Sequence, residues 1–288
     1  DQLLHLLRKA ARLWREDRAG VLVTGDTLTA HLQQEGQARP GTPSRELVRQ
    51  AVSQFAQSYD ERWGGFGAAP KFPTPHNLIF LLRYAQLAKE EHAREMALHT
   101  LNNMYRGGLF DHVGGGFSRY STDQHWLVPH FEKMLYDNAL LALAYTEAFQ
   151  HARCPIYGKI TRRTLDYVLR ELSGPQGGFC CGQDADSDGV EGKYYALIPD
   201  GLAQALGGVD GLRFCQWYGI TPEGNFEGKS IPNLLGQSQF DQDSEDMAAL
   251  REQVYAYRLS RTALHRDDKV LTAWNGLAMA ALARAGLV

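Results

Sequence analysis

Three absences narrow the possibilities before any motif is considered. No window of the 288 residues holds about 18 consecutive apolar residues, so no membrane span is expected. No basic run exceeds a few residues and the formal net charge is −3, which argues against a nucleic-acid footprint of clustered Lys and Arg. Cysteine is sparse: Cys154, Cys180, Cys181 and Cys215 contain no C-x-x-C pair. They fit free thiols in a reducing, cytoplasmic compartment better than a disulfide framework. Nothing beside Cys180 and Cys181 is arranged to activate a thiol, so both read as small buried hydrophobes.

What is present describes a folded helical protein. Residues are 44% hydrophobic and 22% charged, enough for a substantial core. The opening stretch from Asp1 to Arg15 mixes Leu and Arg, but Asp1, Glu16 and Asp17 mark it as an amphipathic helix rather than a targeting peptide. The last stretch, AWNGLAMAALARAGLV, reads as the opening of a buried helix, and the chain is expected to be a fragment of a longer protein. Between these, periodicity predicts helices over 44–60, 75–87, 90–106, 130–150, 157–172, 243–259 and 272–285, with short helices at 200–206 and 210–218. Strands are scarce; FSRYS (117–121) and GKYYAL (192–197) are the candidates.

Half-exposed helices alternate with helices that are apolar all round, which suggests two concentric layers. Gly64-Gly65-Phe66, Gly115-Gly116-Phe117 and Gly177-Gly178-Phe179 each follow an amphipathic helix, as the punctuation of a helical-hairpin repeat would. The predicted fold is all-α, a partial (α/α)6 toroid with short β-hairpins in its Gly-rich connections.

The polar residues crowd into the connections that lead to the inner helices. Residues 107–126 carry Asp111, His112, Arg119, Tyr120, Asp123, His125 and Trp126; residues 183–195 carry four acids and two tyrosines; residues 265–275 carry Asp267, Asp268, Lys269, Trp274 and Asn275. Residues 63–77 add Trp63, Lys71 and His76. Carboxylates, His, Arg and aromatic faces at one mouth suit a sugar, whose hydroxyls need charged partners and whose rings stack on Trp and Tyr. Paired carboxylates can serve glycoside chemistry, and a His can move a proton beside a carbonyl. Solvated helix caps are the bland reading of the same residues. Asp184-Ala-Asp186-Ser-Asp188-Gly189 matches the start of a calcium loop, but Tyr195 stands where the bidentate Glu belongs, so no metal is assigned.

Five stretches carry a family resemblance: APKFPTP (69–75), FDHVGGGFSRYSTDQHWLVPHFEKMLYDNA (110–139), QDADSDGVEGKYY (183–195), EGNFEGKSI (223–231) and DDKVLTAWNGL (267–277). The chain resembles the spermatogenesis-associated, thioredoxin-like proteins and their bacterial relatives. The resemblance implies an upstream thioredoxin-like domain, of which 1–40 would be a helical linker. It also implies that 41–288 form the first part of a six-hairpin glycosidase-type barrel, similar to N-acylglucosamine 2-epimerases and cellobiose epimerases. The chain departs from the pattern at Cys180-Cys181 and at Ser230, away from the charged positions.

The resulting expectation is a carbohydrate-active barrel of the epimerase or glycosidase type, with a small sugar ligand and no cofactor, nucleic acid or membrane. The alternative is a non-catalytic ligand- or protein-binding module. His130, placed after Pro129 at a helix N-terminus, is the expected proton-handling group, with Asp111, Glu132 and Asp137 also catalytic. Arg119, Tyr120, Asp123, Trp126, Lys133, Asp184, Asp186, Asp267, Asp268, Trp274 and Asn275 are expected to bind substrate. Residues 130, 133 and 137 would share a helical stripe, and Glu132, Lys133 and Asp137 could instead tie that helix to its neighbours. A homodimer completing the ring is a further expectation.

Overall fold

The computed structural model describes residues 2–35, 41–242 and 244–288. Asp1, the stretch 36–40 of the expected linker, and Asp243, expected to open a helix, lie outside the described residues. The chain divides into two units, one ending at Arg49 and one running from Gln50 to Val288. The first holds α1 (Gln2–Glu16) and α2 (Arg18–Glu35), both within the stretch expected as a helical linker. α1 leaves Leu3, Leu4, Leu6 and Leu7 exposed.

The second unit begins within α3 (Arg45–Ser58) and continues through α4 (Pro75–Ala88), α5 (Glu91–Arg106), β1 (Tyr120–Ser121), β2 (Pro129–His130), β3 (Lys133–Met134), α6 (Leu135–Ala152) and α7 (Pro155–Glu171). There follow β4 (Gly182–Gln183), β5 (Asp186–Ser187), β6 (Val190–Glu191), α8 (Pro199–Leu206), α9 (Gly208–Trp217), α10 (Glu245–Arg261), β7 (Arg266–Asp267) and α11 (Thr272–Ala285). The apolar helices α4, α6 and α11 pack side by side, with α5 against α4 and α7 against α6. This is the inner and outer layering that the alternation of helix types predicts. Leu141, Ala144, Tyr145 and Ala148 of α6 join Leu78, Leu81 and Leu82 of α4 in one core, while Leu135, Ala139 and Ala142 meet Ala278 and Ala281 of α11 in another.

The Gly-Gly-Phe turns share more than sequence. The first glycine of each of the first two pairs has a positive φ, 68° at Gly64 and 77° at Gly115. A Cβ on Gly64 would lie 2.7 Å from Thr100 Cα, and one on Gly115 would lie 2.5 Å from Arg163 O. Each turn therefore presses its backbone against the backbone of an outer helix, which only glycine allows. Six residues before each Phe stands an acid, Asp60 or Asp111, whose carboxylate accepts from a buried lysine. Lys71 Nζ donates to Asp60 Oδ2 and to Gly64 O; Lys133 Nζ donates to Asp111 Oδ2 at 2.8 Å and to Gly115 O at 2.7 Å. In the third repeat Ser173 occupies the acid's place, and Lys269 is exposed and pairs with Asp267 instead.

A second repeated device closes the other side of the turn. Asn138 of α6 accepts from Phe117 N at 2.7 Å and donates to Phe117 O at 3.0 Å, and Asn275 of α11 does the same to Phe179 at 2.7 and 2.9 Å. Each amide also donates to the carbonyl at the start of its own helix, Met134 or Leu271. The side chains thus staple two inner helices to the turns that precede them. Asn138 is fully buried and Asn275 half-buried. Asn138→Ala should cost about 1–3 kcal/mol by stranding the Phe117 amide, and Asn275→Ala less. Urea denaturation of the two variants checks both the cost and its order.

Two sequence expectations fail here. α6 begins at Leu135, not at His130, because the backbone of 129–134 is taken by strand pairing: His130 sits opposite Tyr120 and Lys133 opposite Gln183. Residues 192–197 do not form a strand. They turn at Gly192, which buries Tyr194 and Tyr195.

Candidate functional site

The connection before α6 folds into two small sheets, and their strands set out the polar side chains. β1 and β2 pair antiparallel, while β3, β4 and β7 form a second sheet in that order. On the first, the Tyr120 and His130 rings stack at 5.2 Å, and the Phe72 ring lies 4.9 Å from that of Tyr120. His130 Nδ1 is 2.8 Å from Glu191 Oε1, and Nε2 is 3.7 Å from Glu132 Oε2. Arg119 Nη1 donates to that same Glu132 oxygen at 2.8 Å. Arg119 also interacts with Tyr136, which touches Asp137 and packs its ring 4.7 Å from Trp274. The result is one continuous run of contacts from Phe72 to Trp274, half-buried along most of its length.

Asp137 is the electrostatic exception in this run. It sits in the first turn of α6, where the helix end favours a charge. Burial outweighs that, with help from Glu132 and against the pull of Tyr136 and Arg119, and raises its carboxyl to about 7. Among the described residues its buried Oδ2 has no hydrogen-bond partner. A carboxyl half-protonated near neutral pH is the protonation behaviour that acid–base chemistry requires.

Behind the mouth lies a fully buried ionic cluster. Asp111 takes both Arg258 Nη1 and Nη2 at 2.9 Å besides Lys133 Nζ, and accepts from the Val113 and Gly114 amides. Burial would raise the Asp111 carboxyl, but Arg258 and Lys133 hold it well below the usual carboxylate range. Burial draws the Lys133 ammonium down to about 8 against the pull of Asp111, with Arg258 adding to the fall. Tyrosine faces complete the enclosure: Lys133 lies 4.4 Å from the Tyr167 ring centre and Arg258 4.4 Å from that of Tyr194.

Of the residues expected at the site, the structure brings together His130, Glu132, Asp137, Arg119, Tyr120 and Trp274. The others are engaged elsewhere. Asp111 and Lys133 are locked in the buried cluster, so neither is open to a substrate, and Lys133 bonds Asp111 rather than bridging to Asp137. Glu132 pairs with Arg119, so the expected Glu132–Lys133–Asp137 network does not form. Trp126 is wholly buried, its indole N–H on Trp63 O, and offers no face for stacking. The Asp123 carboxylate accepts from the amides of His125, Leu127 and Val128 and so builds its own turn. The Asn275 amide is spent on Phe179. Asp184 pairs with His265 and Asp267 with Lys269, while Asp186 and Asp268 are exposed. His130 lies on a strand, so the helix-end argument for its proton does not apply. His112 is a core histidine, lowered to about 3 by burial with Arg163 adding, and ringed by Tyr105, Phe110 and Tyr218.

Sequence reasoning missed Glu191 and Arg258. Arg258 left a signal: with Arg251 it falls on the helical stripe of Met247, Leu250 and Val254, a position where a charge needs a buried partner. Glu191 stood among the four acids of 183–195, but nothing local set it apart, since its contact with His130 spans 61 positions. A cavity of about 1110 Å³ lies between α7, α10 and α11, lined by residues such as Arg162, Arg170, Leu165 and Glu252, and includes none of the mouth residues.

The chain is similar to human spermatogenesis-associated protein 20, with 36% identity over 98% of this chain and 42% of that protein. It thus spans about two fifths of the length of the curated relatives it matches. No family model matches it. Among solved structures it is similar to a cellobiose 2-epimerase from Bacillus thermoamylovorans (14% identity, TM-score 0.41, 48% of this chain and 41% of that one). A family 76 glycoside hydrolase from a bovine Bacteroides thetaiotaomicron strain is similar over 76% of this chain and 43% of its own, at 9% identity and TM-score 0.38. Among the described residues no helix is long and apolar enough to cross a membrane.

Proposed function

We propose that the mouth binds a sugar-like polyol and moves a proton on a carbon beside its carbonyl, as an epimerase or isomerase does. The observation that carries this reading is the Asp137 carboxyl, held near 7 in the same run of contacts as His130. His130 Nε2 would take the proton from carbon, and protonated Asp137 would give its own to the carbonyl oxygen, leaving an enediol. Delivery of a proton from solvent to the opposite face of that carbon, loss of the His130 proton to solvent and return of the hydroxyl proton to Asp137 would give the epimer and complete the cycle. Trp274 supplies a face for the ring, and Arg119 supplies charged donors. A glycosidase reading is weaker, because it needs a second free carboxylate and Glu132 is held by Arg119.

One observation favours the non-catalytic module. Arg119, Glu132, His130 and Glu191 are satisfied by each other, as a structural network would be. Saturation-transfer NMR on the full-length protein with a panel of mono- and disaccharides separates the two. Sugar signals that vanish in His130→Ala and persist in Cys181→Ala support the proposal. No sugar signal from the wild type, with a stable protein partner on pull-down, sinks it in favour of the module.

A further inference from the structure

Glu191 belongs to a hairpin that leaves it little freedom. β5 and β6 pair with Asp186 opposite Glu191, joined through Asp188 and Gly189. Both turn residues have positive φ, 52° and 74°, the conformation that an Asp-Gly pair adopts in two-residue hairpins. The tip is fastened: Asp188 Oδ2 accepts from Lys193 Nζ at 2.7 Å and from Thr262 Oγ1 at 2.9 Å. The base is fastened too, since Gly192 (φ 73°) sits so close to Phe131 that a Cβ would meet its ring at 2.5 Å. The hairpin presents a half-exposed carboxylate at a set place without burying it.

That place is 2.8 Å from His130 Nδ1. An ionised carboxylate only accepts, so the nitrogen facing it must carry the hydrogen. The second nitrogen stands 3.7 Å from Glu132 Oε2, beyond hydrogen-bond reach, and that oxygen already accepts from Arg119. Tyr120 stacked on the ring, at an interplanar angle of 28°, opposes its rotation. We propose that Glu191 is a positioning residue: it fixes neutral His130 as the Nδ1–H tautomer and leaves the Nε2 lone pair as the acceptor at the mouth. The use of that lone pair rests on the function proposed above; the tautomer does not.

The test is spectroscopic. Long-range ¹H–¹⁵N correlation spectra of the ¹⁵N-histidine-labelled protein, taken where the ring is neutral, distinguish a pyrrole-like from a pyridine-like nitrogen. The wild type should show Nδ1 pyrrole-like and Nε2 pyridine-like. Glu191→Ala should move His130 toward Nε2–H, the form free imidazole side chains prefer, and Glu191→Asp should restore part of the wild-type pattern. Unchanged histidine signals away from the hairpin show that the fold is kept. A wild-type ring with Nε2–H, or a ring indifferent to Glu191→Ala, overturns the proposal. A tautomer that follows Glu191 in a protein that binds no sugar upholds it while defeating the sugar reading.

Discussion

Asp111→Asn is expected to destabilise the second unit by about 3–5 kcal/mol, the cost of stranding buried charges. Lys133 and Arg258 are both essentially inaccessible to water, and Asp111 is the carboxylate that each bonds. A loss of that size is a large share of the roughly 5–15 kcal/mol that holds a typical domain together. Asp267→Asn serves as the comparison. It removes a partner from Lys269, the exposed counterpart in the third repeat, and should cost under about 1 kcal/mol. Urea denaturation followed by circular dichroism measures both, and similar midpoints for the two variants would count against the buried cluster as a structural keystone. Acid should act as the first substitution does. The Asp111 carboxyl is held below its ordinary value, so its contribution is complete above the unfolded carboxylate pKa and disappears as pH falls through the folded one.

Asp137 should show the opposite sign. Its carboxyl is raised to about 7, so the folded state binds a proton that the unfolded chain releases between about pH 4 and 7. Stability from this group is complete below the unfolded value and is lost as pH rises through 7. Asp137→Asn cannot ionise and should flatten that slope. The variant should be more stable than the wild type at pH 8, by roughly 4 kcal/mol at about 1.4 kcal/mol for each tenfold in proton affinity. Thermal unfolding from pH 4.5 to 8.5 measures the slope, and parallel curves for wild type and variant would show that Asp137 is ionised throughout. Under the proposed function, that gain in stability would come with lost sugar turnover, the usual trade at a working site.

Much of the helical framework was legible from the spacing of apolar residues, with α3, α4, α5 and α11 found within a residue or two of their bounds. The start of α6 was not, because Pro129 is equally at home before a helix and in an edge strand, and only pairing with distant residues decides between them. Asp123, Trp126 and Asn275 looked like site residues because polar and aromatic side chains that build a loop are the same types that line one. What separated them was the partner, Val128 N, Trp63 O and Phe179 N, and that information resides in the folded chain. Lys71 and Lys133 illustrate the same limit: each follows a Gly-Gly-Phe turn, yet the acid six positions before the Phe gives them meaning only after folding.

The asparagine staples have a consequence for how the chain tolerates change. In one staple the two halves lie 21 positions apart, and in the other 96, with α8, α9 and α10 accommodated between them. The junction is the same in both, so the intervening length is not read by the helices it joins. The entropic cost of a longer excursion grows only slowly with its length. Loops of such an interval, away from Arg258 and β4, are places where sequence can be inserted while the inner helices keep their seating, and the hairpin that carries Glu191 arises within that interval.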